Sequence, residues 1–414
     1  MAVMGIDMGN TNVKCIVLDA NGITLALSTL PTNIRQGGSF NGNAIMHAIK
    51  SLCENALAQI PGVKIEGMAV STMGSAAIML DENGDIIPQI DLPPWDGPMP
   101  NLSEEEYFST CGYPKDYYHD GIYLAHLSHT RPDLFRQVKA LLSVGDYIAY
   151  RLSGKMVNDI STAGSFSIVE MRTGKNWRAF VDEYKLPIPH LVQSGAFVGE
   201  VANDFGLPMG TPVFAGGHDY LCAAFAAGCV NPGDAINVLG TFEMMASFYD
   251  TPQPPITDAF AFMDSHVCPG VFTQTTENNC GNSIAKAISQ GEKSGLSGKE
   301  MFALLGKNDA RATELERAIT DINKTSVEML RVHQKAAGKN DLRIKVVGGG
   351  SSNPFWMQDK ANTMGLPLYV PKIEEASATG AALLAGCGSG MFANHKQAAQ
   401  TFELREEKIY QPQV

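Results

Sequence analysis

Short apolar segments separated by turn residues open the chain. Val3–Asp7, Val13–Leu18 and Ile23–Thr29 alternate with a Gly- and Asn-containing segment at Met8–Asn12 and with the turn Asp19–Gly22. Apolar runs of this length, joined by turns rich in Gly and Asn, are typical of β-hairpins. The pattern therefore predicts three antiparallel strands near the start of the sequence.

The same pattern returns in the second half of the chain. Ala235–Leu239 and Glu243–Phe248 are apolar strands joined by a tight turn, and an Asn-Pro-Gly break at 231–233 precedes them. We interpret the two hairpins as an internal duplication of α/β domains. The predicted boundaries are 1–232 for the N-terminal domain and 233–414 for the C-terminal domain.

Helical spacing of apolar residues dominates between and after the hairpins. It predicts helices at Ala44–Gln59 and at Gln137–Leu152, the second ending at Gly154 as a C-cap. Residues 308–337 are charged and favour a helix. Arg343–Val347 reads as a buried strand that runs into a glycine-rich turn.

Length and composition limit the class of protein. A chain of 414 residues exceeds one ordinary core, because domains average about 150 residues. Asp and Glu number 43 against 31 Lys and Arg, and the net charge of −12 argues against nucleic acid or an anionic membrane as partner. Hydrophobic residues make up 44%, which excludes a disordered chain.

No targeting or membrane segment is expected. Asp7 interrupts the first apolar run and no basic segment precedes it, so no secretory signal is predicted. Uncharged stretches are short of the ~20 apolar residues that a membrane span needs. The eight cysteines form no Cys-x-x-Cys pair, so we expect free, buried thiols in a cytoplasmic protein.

The first hairpin carries candidate phosphate chemistry. Asp7 leaves a strand and precedes a turn that contains Gly9, whose backbone N–H groups can face phosphates. Thr11, Asn12 and Lys14 add donors, and a carboxylate such as Asp7 can hold Mg²⁺ through water. A plain surface hairpin is the alternative for this segment.

Asp219 is a candidate for proton transfer. It ends the segment Gly216–Asp219, which follows the predicted strand Pro212–Ala215. A carboxylate held at a strand end can accept a proton from a substrate hydroxyl. The alternative is that Asp219 is the N-cap of a helix at Leu221–Gly228.

The segment Gly348–Asn353 suggests a nucleotide site, because a strand runs into a glycine-rich turn and a helix. A dinucleotide-binding dehydrogenase is the rival, with Glu374 in place of the ribose-binding acid. Two features speak against that rival. The third glycine of its fingerprint is replaced by Asn353, and no parallel βαβ unit is expected to follow.

Together and in this order, these motifs resemble the FGGY family of carbohydrate kinases, which belongs to the actin/hexokinase/Hsp70-like ATPases. The resemblance covers nearly the whole chain. The segments that carry it are Gly5–Lys14, Gly216–Gly228 with the Asn-Pro-Gly at 231–233, Leu239–Thr241, Gly348–Gly386 with Glu375–Ala382, and Tyr147–Gly154 followed by Asp159–Ser165.

The resemblance implies two ribonuclease-H-like domains of the actin-like ATPase type, with ATP and a sugar in the interdomain cleft. It implies an ATP-dependent kinase that phosphorylates a ketose, deoxyketose or polyol, with Asp219 as catalytic base and Asp7 oriented toward Mg²⁺. The implied nucleotide-binding residues are Asn10, Thr11, Asn12, Lys14, Gly240, Thr241, Gly349, Gly350 and Asn353. A catalytically silent, ATP-binding regulatory relative is the alternative function, and a homodimer is a family-level expectation.

The predicted sugar site departs from the usual family pattern. Met73 stands where many members have Gln, and Ser71–Gly74 is closer to the type seen in fuculokinase-like members. The usual Trp-x-Asp-x-Arg is represented only by Trp95 and Asp96. We therefore favour a ketose or deoxyketose, such as fuculose, rhamnulose or xylulose, over glycerol. The expected sugar contacts are Thr72, Met73, Trp95, Asp96, His218, Asp219 and Tyr220.

The chain is also shorter than the resemblance implies. Compared with the family pattern, loops are expected to be shortened or absent near 36–39, near 305–311 and after 414. Either loops are missing from the sequence or this is a naturally compact member, and an intact mass well above 44.4 kDa would indicate missing residues.

The 41 glycines exceed the usual ~7% and are expected where backbone approaches a ligand. The predicted positions are Gly5, Gly9, Gly216, Gly217, Gly240, Gly348, Gly349 and Gly350. Others, such as Gly228, Gly380 and Gly386, are expected in closely packed helices.

Overall fold

Two mixed β-sheets form the centre of the protein. The computed structural model describes residues 1–36, 38–94, 101–115, 118–256, 259–292, 295–403 and 407–413. Within these ranges each half of the chain contributes one seven-stranded sheet, and helices cover the faces of both sheets.

The N-terminal half contains most of the short strands. Its strands are β1 (Ala2–Met8), β2 (Asn12–Asp19), β3 (Thr24–Pro31), β4 (Arg35–Gln36), β5 (Ser39–Phe40), β6 (Ile65–Thr72), β7 (Ala77–Leu80), β8 (Ile86–Ile87), β9 (Ala140–Ser143), β10 (Asn158–Asp159), β11 (Val169–Glu170), β12 (Lys175–Asn176), β13 (Leu191–Val192), β14 (Phe197–Glu200), β15 (Pro212–Phe214) and β16 (Gly217–His218). Its helices are α1 (Gly42–Ala58), α2 (Glu104–Cys111), α3 (Asp120–Thr130), α4 (Pro132–Phe135), α5 (Val144–Ser153), α6 (Ile160–Gly164), α7 (Arg178–Val181) and α8 (Asp219–Ala226).

The C-terminal half has fewer strands and longer helices. Its strands are β17 (Ala235–Leu239), β18 (Glu243–Tyr249), β19 (Ala261–Ser265), β20 (Phe272–Asn278), β21 (Ile344–Val347), β22 (Leu368–Pro371) and β23 (Glu407–Tyr410). Its helices are α9 (Cys280–Glu292), α10 (Gly298–Leu304), α11 (Thr313–Ala337), α12 (Pro354–Met364), α13 (Ala376–Gly388) and α14 (His395–Glu403), with 3₁₀ turns at Ala310–Ala312 and Gly349–Ser352.

The N-terminal sheet begins with the predicted antiparallel strands. β1 pairs with β2 and β2 with β3, which places Asp7 opposite Lys14. β6 joins the other side of β1 in parallel and places Ser71 beside Asp7. The short β16 pairs in parallel with β6 and leads directly into Asp219. Because the carboxyl ends of parallel strands meet at one edge of a sheet, Asp7 and Asp219 share that edge.

The C-terminal sheet repeats this plan. β17, β18 and β20 are antiparallel neighbours, while β21 joins β17 in parallel and β22 joins β21 in parallel. The two strand orders are β14-β15-β6-β1-β2-β3 and β23-β22-β21-β17-β18-β20-β19. The shared order supports the interpretation of an internal duplication. The boundary between 232 and 233 remains a prediction.

A helix from the C-terminal half packs on the N-terminal sheet. α13 lies against β1, β6 and α8. A Cβ atom at Gly5 would lie 1.9 Å from the carbonyl oxygen of Ala378, and one at Gly380 would lie 2.0 Å from that of Cys222. The close approach therefore depends on these glycines, and buried residues of both halves join in one hydrophobic core.

One local prediction is wrong. The segment 137–152 was expected to be a single helix, but its first part is the strand β9, which pairs with β7. Helix α5 begins only at Val144 and ends at Gly154 in the left-handed region, as predicted. The residues of β9 are fully buried, and strand pairing there satisfies backbone groups that a helix start would leave without partners.

Two expectations about chemistry and membranes can be compared with the structure. All eight cysteines are free thiols, and seven of them are buried, as the sequence predicts. Among the described residues, the helices are too short or too polar to cross a lipid bilayer.

Candidate active site

Asp7 lies near the end of β1 and is only 9% exposed. The Ser71 hydroxyl donates to its Oδ1 at 3.0 Å. Burial and the negative charge of Asp219 raise the pKa of Asp7 to about 7, against the lowering effect of Lys14. Asp7 and Asp219 are therefore electrostatically coupled carboxylates at one edge of the sheet.

Asp219 is the first residue of α8, and 33% of its side-chain surface is exposed. The N-cap of this helix is His218, so the alternative role of Asp219 as the N-cap is wrong. Burial raises the pKa of Asp219 above its ordinary value, while the neighbouring His218 opposes that rise. A partly exposed carboxylate in this position can accept a proton from a bound hydroxyl group.

Close packing between strands holds Asp219 next to Asp7. A Cβ atom at Gly216 would lie 1.8 Å from the carbonyl oxygen of Val70 in β6. Gly216 therefore lets the segment that leads into α8 press directly on β6. Gly5, Gly216, Gly217 and Gly348 were expected where backbone approaches phosphate, nucleotide or sugar, but a Cβ atom at each would lie 2.6 Å or less from another protein atom, so close packing of the protein also requires these glycines.

The tips of both large hairpins are exposed and carry predicted phosphate contacts. Their predicted residues are Asn10, Thr11 and Asn12 at the first tip, and Gly240 and Thr241 at the second. Exposed backbone in a tight turn presents N–H groups, which are suitable donors for phosphate oxygens. The two loops hold equivalent places in the two sheets, because each joins the paired antiparallel strands next to the parallel ones.

Lys14 forms an ion pair with Glu375, at the start of α13. Glu375 has a φ of 44°, in the left-handed region, and its charge further raises the pKa of Asp7. The sequence placed Glu375 in a family segment but gave no sign of its contact with Lys14. The first hairpin and the start of α13 therefore meet at this site.

The glycine-rich turn after β21 has the predicted strand–turn–helix form. Gly348 has a φ of 95°, and the Cβ position of Gly349 is in open space. Asn353 is the N-cap of α12, with its Oδ1 accepting from the Trp356 N–H at 3.1 Å and its Nδ2 donating to the Phe302 carbonyl at 3.3 Å. In this structure the Asn353 amide is thus engaged in shaping the turn.

A parallel βαβ unit does include Gly348–Asn353, contrary to the expectation from the sequence. β21, α12 and β22 form the parallel βαβ unit that was not expected. However, β21 lies beside the antiparallel strands β17, β18 and β20. A doubly wound dinucleotide-binding sheet is mostly parallel, so the sheet as a whole argues against the dehydrogenase.

Most of the residues that are predicted to contact the sugar are buried. Thr72 is 1% exposed, Met73 9% and Tyr220 2%. The Tyr220 hydroxyl donates to Asp264 at 2.9 Å, and the role of Tyr220 as a sugar contact stays a prediction. His218 is also buried, with Gly74 against its ring. The predicted contacts Trp95 and Asp96 lie outside the described residues.

Two cavities lie away from the paired carboxylates. One, of about 450 Å³, is lined by Gln89–Pro94 together with Tyr118, Tyr123 and His126. The other, of about 320 Å³, lies between α9 and α11 and includes Lys286 and Arg317. Neither cavity includes Asp7 or Asp219, and no sequence pattern predicts either of them.

Asp7 would be one ligand of a Mg²⁺ ion, and substrate oxygens and water would supply the others. The described residues contain no group of three or more His, Cys, Asp or Glu side chains able to hold a metal ion. Mg²⁺ usually keeps several waters and takes one or two carboxylates plus substrate phosphates. A buried carboxylate with a raised pKa fits such a cation, because the cation would balance its charge.

Comparisons with known families match both halves of the chain. The profile of the N-terminal domain of the FGGY family of carbohydrate kinases matches residues 2–226. The profile of the C-terminal domain of the same family matches residues 189–389. The first match alone covers more than half of the chain.

Similar curated proteins extend over the whole chain. An autoinducer-2 kinase of Yersinia enterocolitica is 25% identical, with 100% of this chain and 90% of the relative covered. An L-fuculokinase of Escherichia coli K12 is 23% identical, with 99% and 97% covered. The first alignment runs over 491 positions against 414 residues here, so the relative has internal segments that this chain lacks.

Solved structures of similar fold include a xylulose kinase and a glycerol kinase. A xylulose kinase of Rhodospirillum rubrum superposes with a TM-score of 0.81 at 18% identity, covering 100% of this chain and 94% of that one. A glycerol kinase of Plasmodium falciparum with ADP superposes with a TM-score of 0.81 at 11% identity, with the same coverage. These likenesses confirm the predicted fold class, α/β with two domains of the actin-like ATPase type.

Proposed function

Because this chain belongs to the FGGY family of carbohydrate kinases, we propose that it transfers the γ-phosphoryl group of ATP to a sugar hydroxyl with Asp219 as general base. The observation that carries this assignment is the position of Asp219. It is a partly exposed carboxylate at the start of α8, electrostatically coupled to Asp7.

Asp219 accepts the proton of the attacking hydroxyl. The hydroxyl oxygen forms a bond to the γ-phosphorus, and the bond between that phosphorus and the bridging oxygen of ADP breaks. ADP leaves with the electron pair. Phosphoryl transfer of this kind depends mainly on positioning and on neutralising charge, which is the work of the residues around the two carboxylates.

Asp7 is proposed to orient Mg²⁺, which supplies positive charge to the phosphate oxygens when it is bound. The exposed hairpin tips contribute backbone and side-chain donors to the phosphates. The turn after β21 contributes to the adenosine site. The proposed nucleotide-binding residues are Asn10, Thr11, Asn12, Lys14, Gly240, Thr241, Gly349, Gly350 and Asn353.

The proposed substrate is a ketose or a deoxyketose. Ser71–Gly74 supports this choice because it resembles the fuculokinase-like type, and an L-fuculokinase is among the similar curated proteins. Thr72, Met73, Trp95, Asp96 and His218 are proposed to shape the sugar site. Release of ADP with a panel of ketoses, deoxyketoses and polyols tests the substrate, and a preference for glycerol would contradict the proposal.

The base is tested with Asp219→Asn. Turnover is expected to fall by about 100- to 10,000-fold, the usual contribution of a general base, while ATP binding measured by calorimetry is unchanged. Asp133→Asn, at an exposed aspartate of α4, is the control and should retain full turnover. Near-normal turnover of Asp219→Asn would show that Asp219 is not the base. ATP binding by the native protein without turnover of any sugar would instead favour the regulatory alternative.

A further inference from the structure

Ser161 is a fully buried serine that joins helix α6 to the segment carrying Asp219. It lies in the first turn of α6. The backbone N–H of His218 donates to its Oγ at 3.0 Å. The Ser161 hydroxyl in turn donates to the Oδ1 of Asp159, the N-cap of α6. Because a serine hydroxyl has a single proton, this donation leaves the oxygen lone pairs to accept from His218.

Asp159 is itself fixed by several hydrogen bonds. Its Oδ1 accepts from the Thr162 N–H at 3.0 Å, and its Oδ2 accepts from the Ser194 hydroxyl at 2.6 Å. Its own backbone N–H donates to the carboxylate of Asp146 at 3.2 Å. Asp159 is buried, so these partners are not in exchange with water. The direction of the Ser161 hydroxyl is therefore set by a rigid anchor.

The strand that leads to Asp219 is short. β16 consists only of Gly217 and His218, which pair in parallel with β6. Asp219 follows directly, and its Oδ1 accepts from the backbone N–H of Tyr220 at 2.7 Å. The direction of the Asp219 carboxylate thus depends on the backbone around it, and the Ser161 hydroxyl holds that backbone from the side of α6.

Close packing leaves this segment little room. A Cβ atom at Gly217 would lie 2.6 Å from the Cγ1 of Val267 and 3.1 Å from the Oγ of Ser161. His218 is buried, so its N–H would have little access to water if Ser161 lost its hydroxyl. A buried N–H without an acceptor is unfavourable, so the backbone would shift toward another partner. Such a shift would move Asp219, the next residue.

We propose that Ser161 is a positioning residue for the phosphoryl transfer, acting through the His218 backbone to hold Asp219 within reach of the substrate hydroxyl. The proposal rests on the proposed role of Asp219 as general base. A base must lie about 2.6–3.2 Å from the oxygen whose proton it accepts. A small displacement of the backbone is therefore enough to slow the reaction, although Ser161 itself does not contact the substrate.

The proposal is tested with Ser161→Ala, which removes the acceptor of the His218 N–H. We expect kcat to fall by about 10- to 100-fold, because a misplacement of about 1 Å can cost 100-fold in rate. KM for ATP and KM for the sugar should change little, since the proposed nucleotide and sugar contacts keep their side chains. Steady-state kinetics measures these constants with the sugar that gives the fastest release of ADP.

Ser194→Ala is the matched control. Ser194 is also a buried serine, and its hydroxyl donates to the other oxygen of Asp159. Among the described hydrogen bonds, however, it is Ser161 that accepts from the His218 N–H. Both variants should lower the melting temperature, but Ser194→Ala should retain kcat close to that of the native protein. If the two variants lower kcat equally, Ser161 has only a structural role and the proposal is wrong.

Hydrogen exchange reports the same contact without any turnover. Mass spectrometry with fragmentation to single amides should show strong protection of the His218 N–H in the native protein. Ser161→Ala should accelerate its exchange much more than Ser194→Ala does. The measurement on the native protein needs no variant, so it decides even if Ser161→Ala does not fold. Fast exchange of the native His218 N–H would overturn the proposal.

Failure of the base assignment is separately visible. If Asp219→Asn retains turnover, Asp219 is not the base, and the proposed function is wrong in that respect whatever Ser161→Ala does. If Asp219→Asn loses turnover while Ser161→Ala keeps a native kcat, the base assignment stands and the positioning role of Ser161 is wrong.

Discussion

The two large hairpins are similar in sequence pattern but differ in how far neighbouring groups balance the charge of their carboxylates. Asp7 in the first hairpin hydrogen bonds to Ser71, while the lysine opposite it, Lys14, forms its ion pair with Glu375. Glu243 in the second hairpin is wholly buried, and its Oε1 lies 2.6 Å from the ammonium nitrogen of Lys360.

Further polar groups complete the cluster around Glu243. The Ser326 hydroxyl donates to the same oxygen of Glu243 at 2.7 Å, and the Asn237 amide donates to it at 3.0 Å. The charge of Glu243 is therefore balanced inside the protein. The charge of Asp7 is not balanced to the same degree, as its raised pKa indicates.

This difference separates a structural carboxylate from a functional one. A buried ion pair with satisfied hydrogen bonds supports the fold locally and leaves no charge for a ligand. A carboxylate that is buried and poorly balanced marks a candidate functional site. In the duplicated fold, we propose that the first hairpin supplies side-chain chemistry and that the second supplies mainly backbone donors.

The largest expected effect comes from Lys360→Met. It leaves Glu243 buried without its cation, so the free energy of unfolding is expected to fall by about 3–5 kcal/mol. Urea denaturation at neutral pH measures this loss. The double variant Lys360→Met with Glu243→Leu should recover most of it, since an apolar pair can replace a buried ion pair. Wild-type stability of the single variant would contradict the structural role of the pair.

A smaller effect, on rate instead of stability, is expected for Asp7→Asn. Turnover should fall by about 100- to 1,000-fold, as when one preorganised electrostatic contact is lost. The melting temperature should not fall, because a poorly balanced buried charge is removed. Glu243→Gln is the matched variant in the other hairpin. It should lower the melting temperature more than it lowers turnover. An equal loss of stability in both variants would contradict the proposed difference between the two carboxylates.

The smallest effect concerns His333, which lies behind the second sheet. Its ring nitrogens are each 3.0 Å from a hydroxyl, Ser247 at Nδ1 and Thr276 at Nε2, and burial lowers its pKa to about 4. Between pH 6.5 and 4 the unfolded chain binds a proton that the folded chain does not. The free energy of unfolding should therefore fall, by about 2–3 kcal/mol, as pH decreases through that range.

His333→Gln retains polar atoms but does not titrate, so it should flatten the slope of stability against pH between 6.5 and 4. Urea denaturation at several pH values measures that slope. A slope identical to that of the wild type would show that other groups are responsible for it, with His119 and His266, whose pKa values are also lowered by burial, as the next candidates.

Local sequence patterns predicted the hairpins, the glycine-rich turns and the position of Asp219 at a strand end. They failed where the contact is distant in sequence. The Lys14–Glu375 ion pair joins residues 361 positions apart, and no periodicity marks it. Gly5 was expected where backbone approaches phosphate, nucleotide or sugar, yet its lack of a side chain lets α13, which lies far along the chain, pack closely on β1.

Local sequence was enough to predict most of the elements, the repeated hairpins and the family, because turn chemistry and hydrophobic period act over a few residues. Only the tertiary structure decided which carboxylates have their negative charge balanced by neighbouring cations and hydrogen-bond donors. Asp7 and Glu243 are both buried, but they differ in the groups that reach them from other elements, Ser71 for Asp7 and Lys360 for Glu243. Electrostatic energy depends on those distances and on exclusion of water, neither of which the order of residues states.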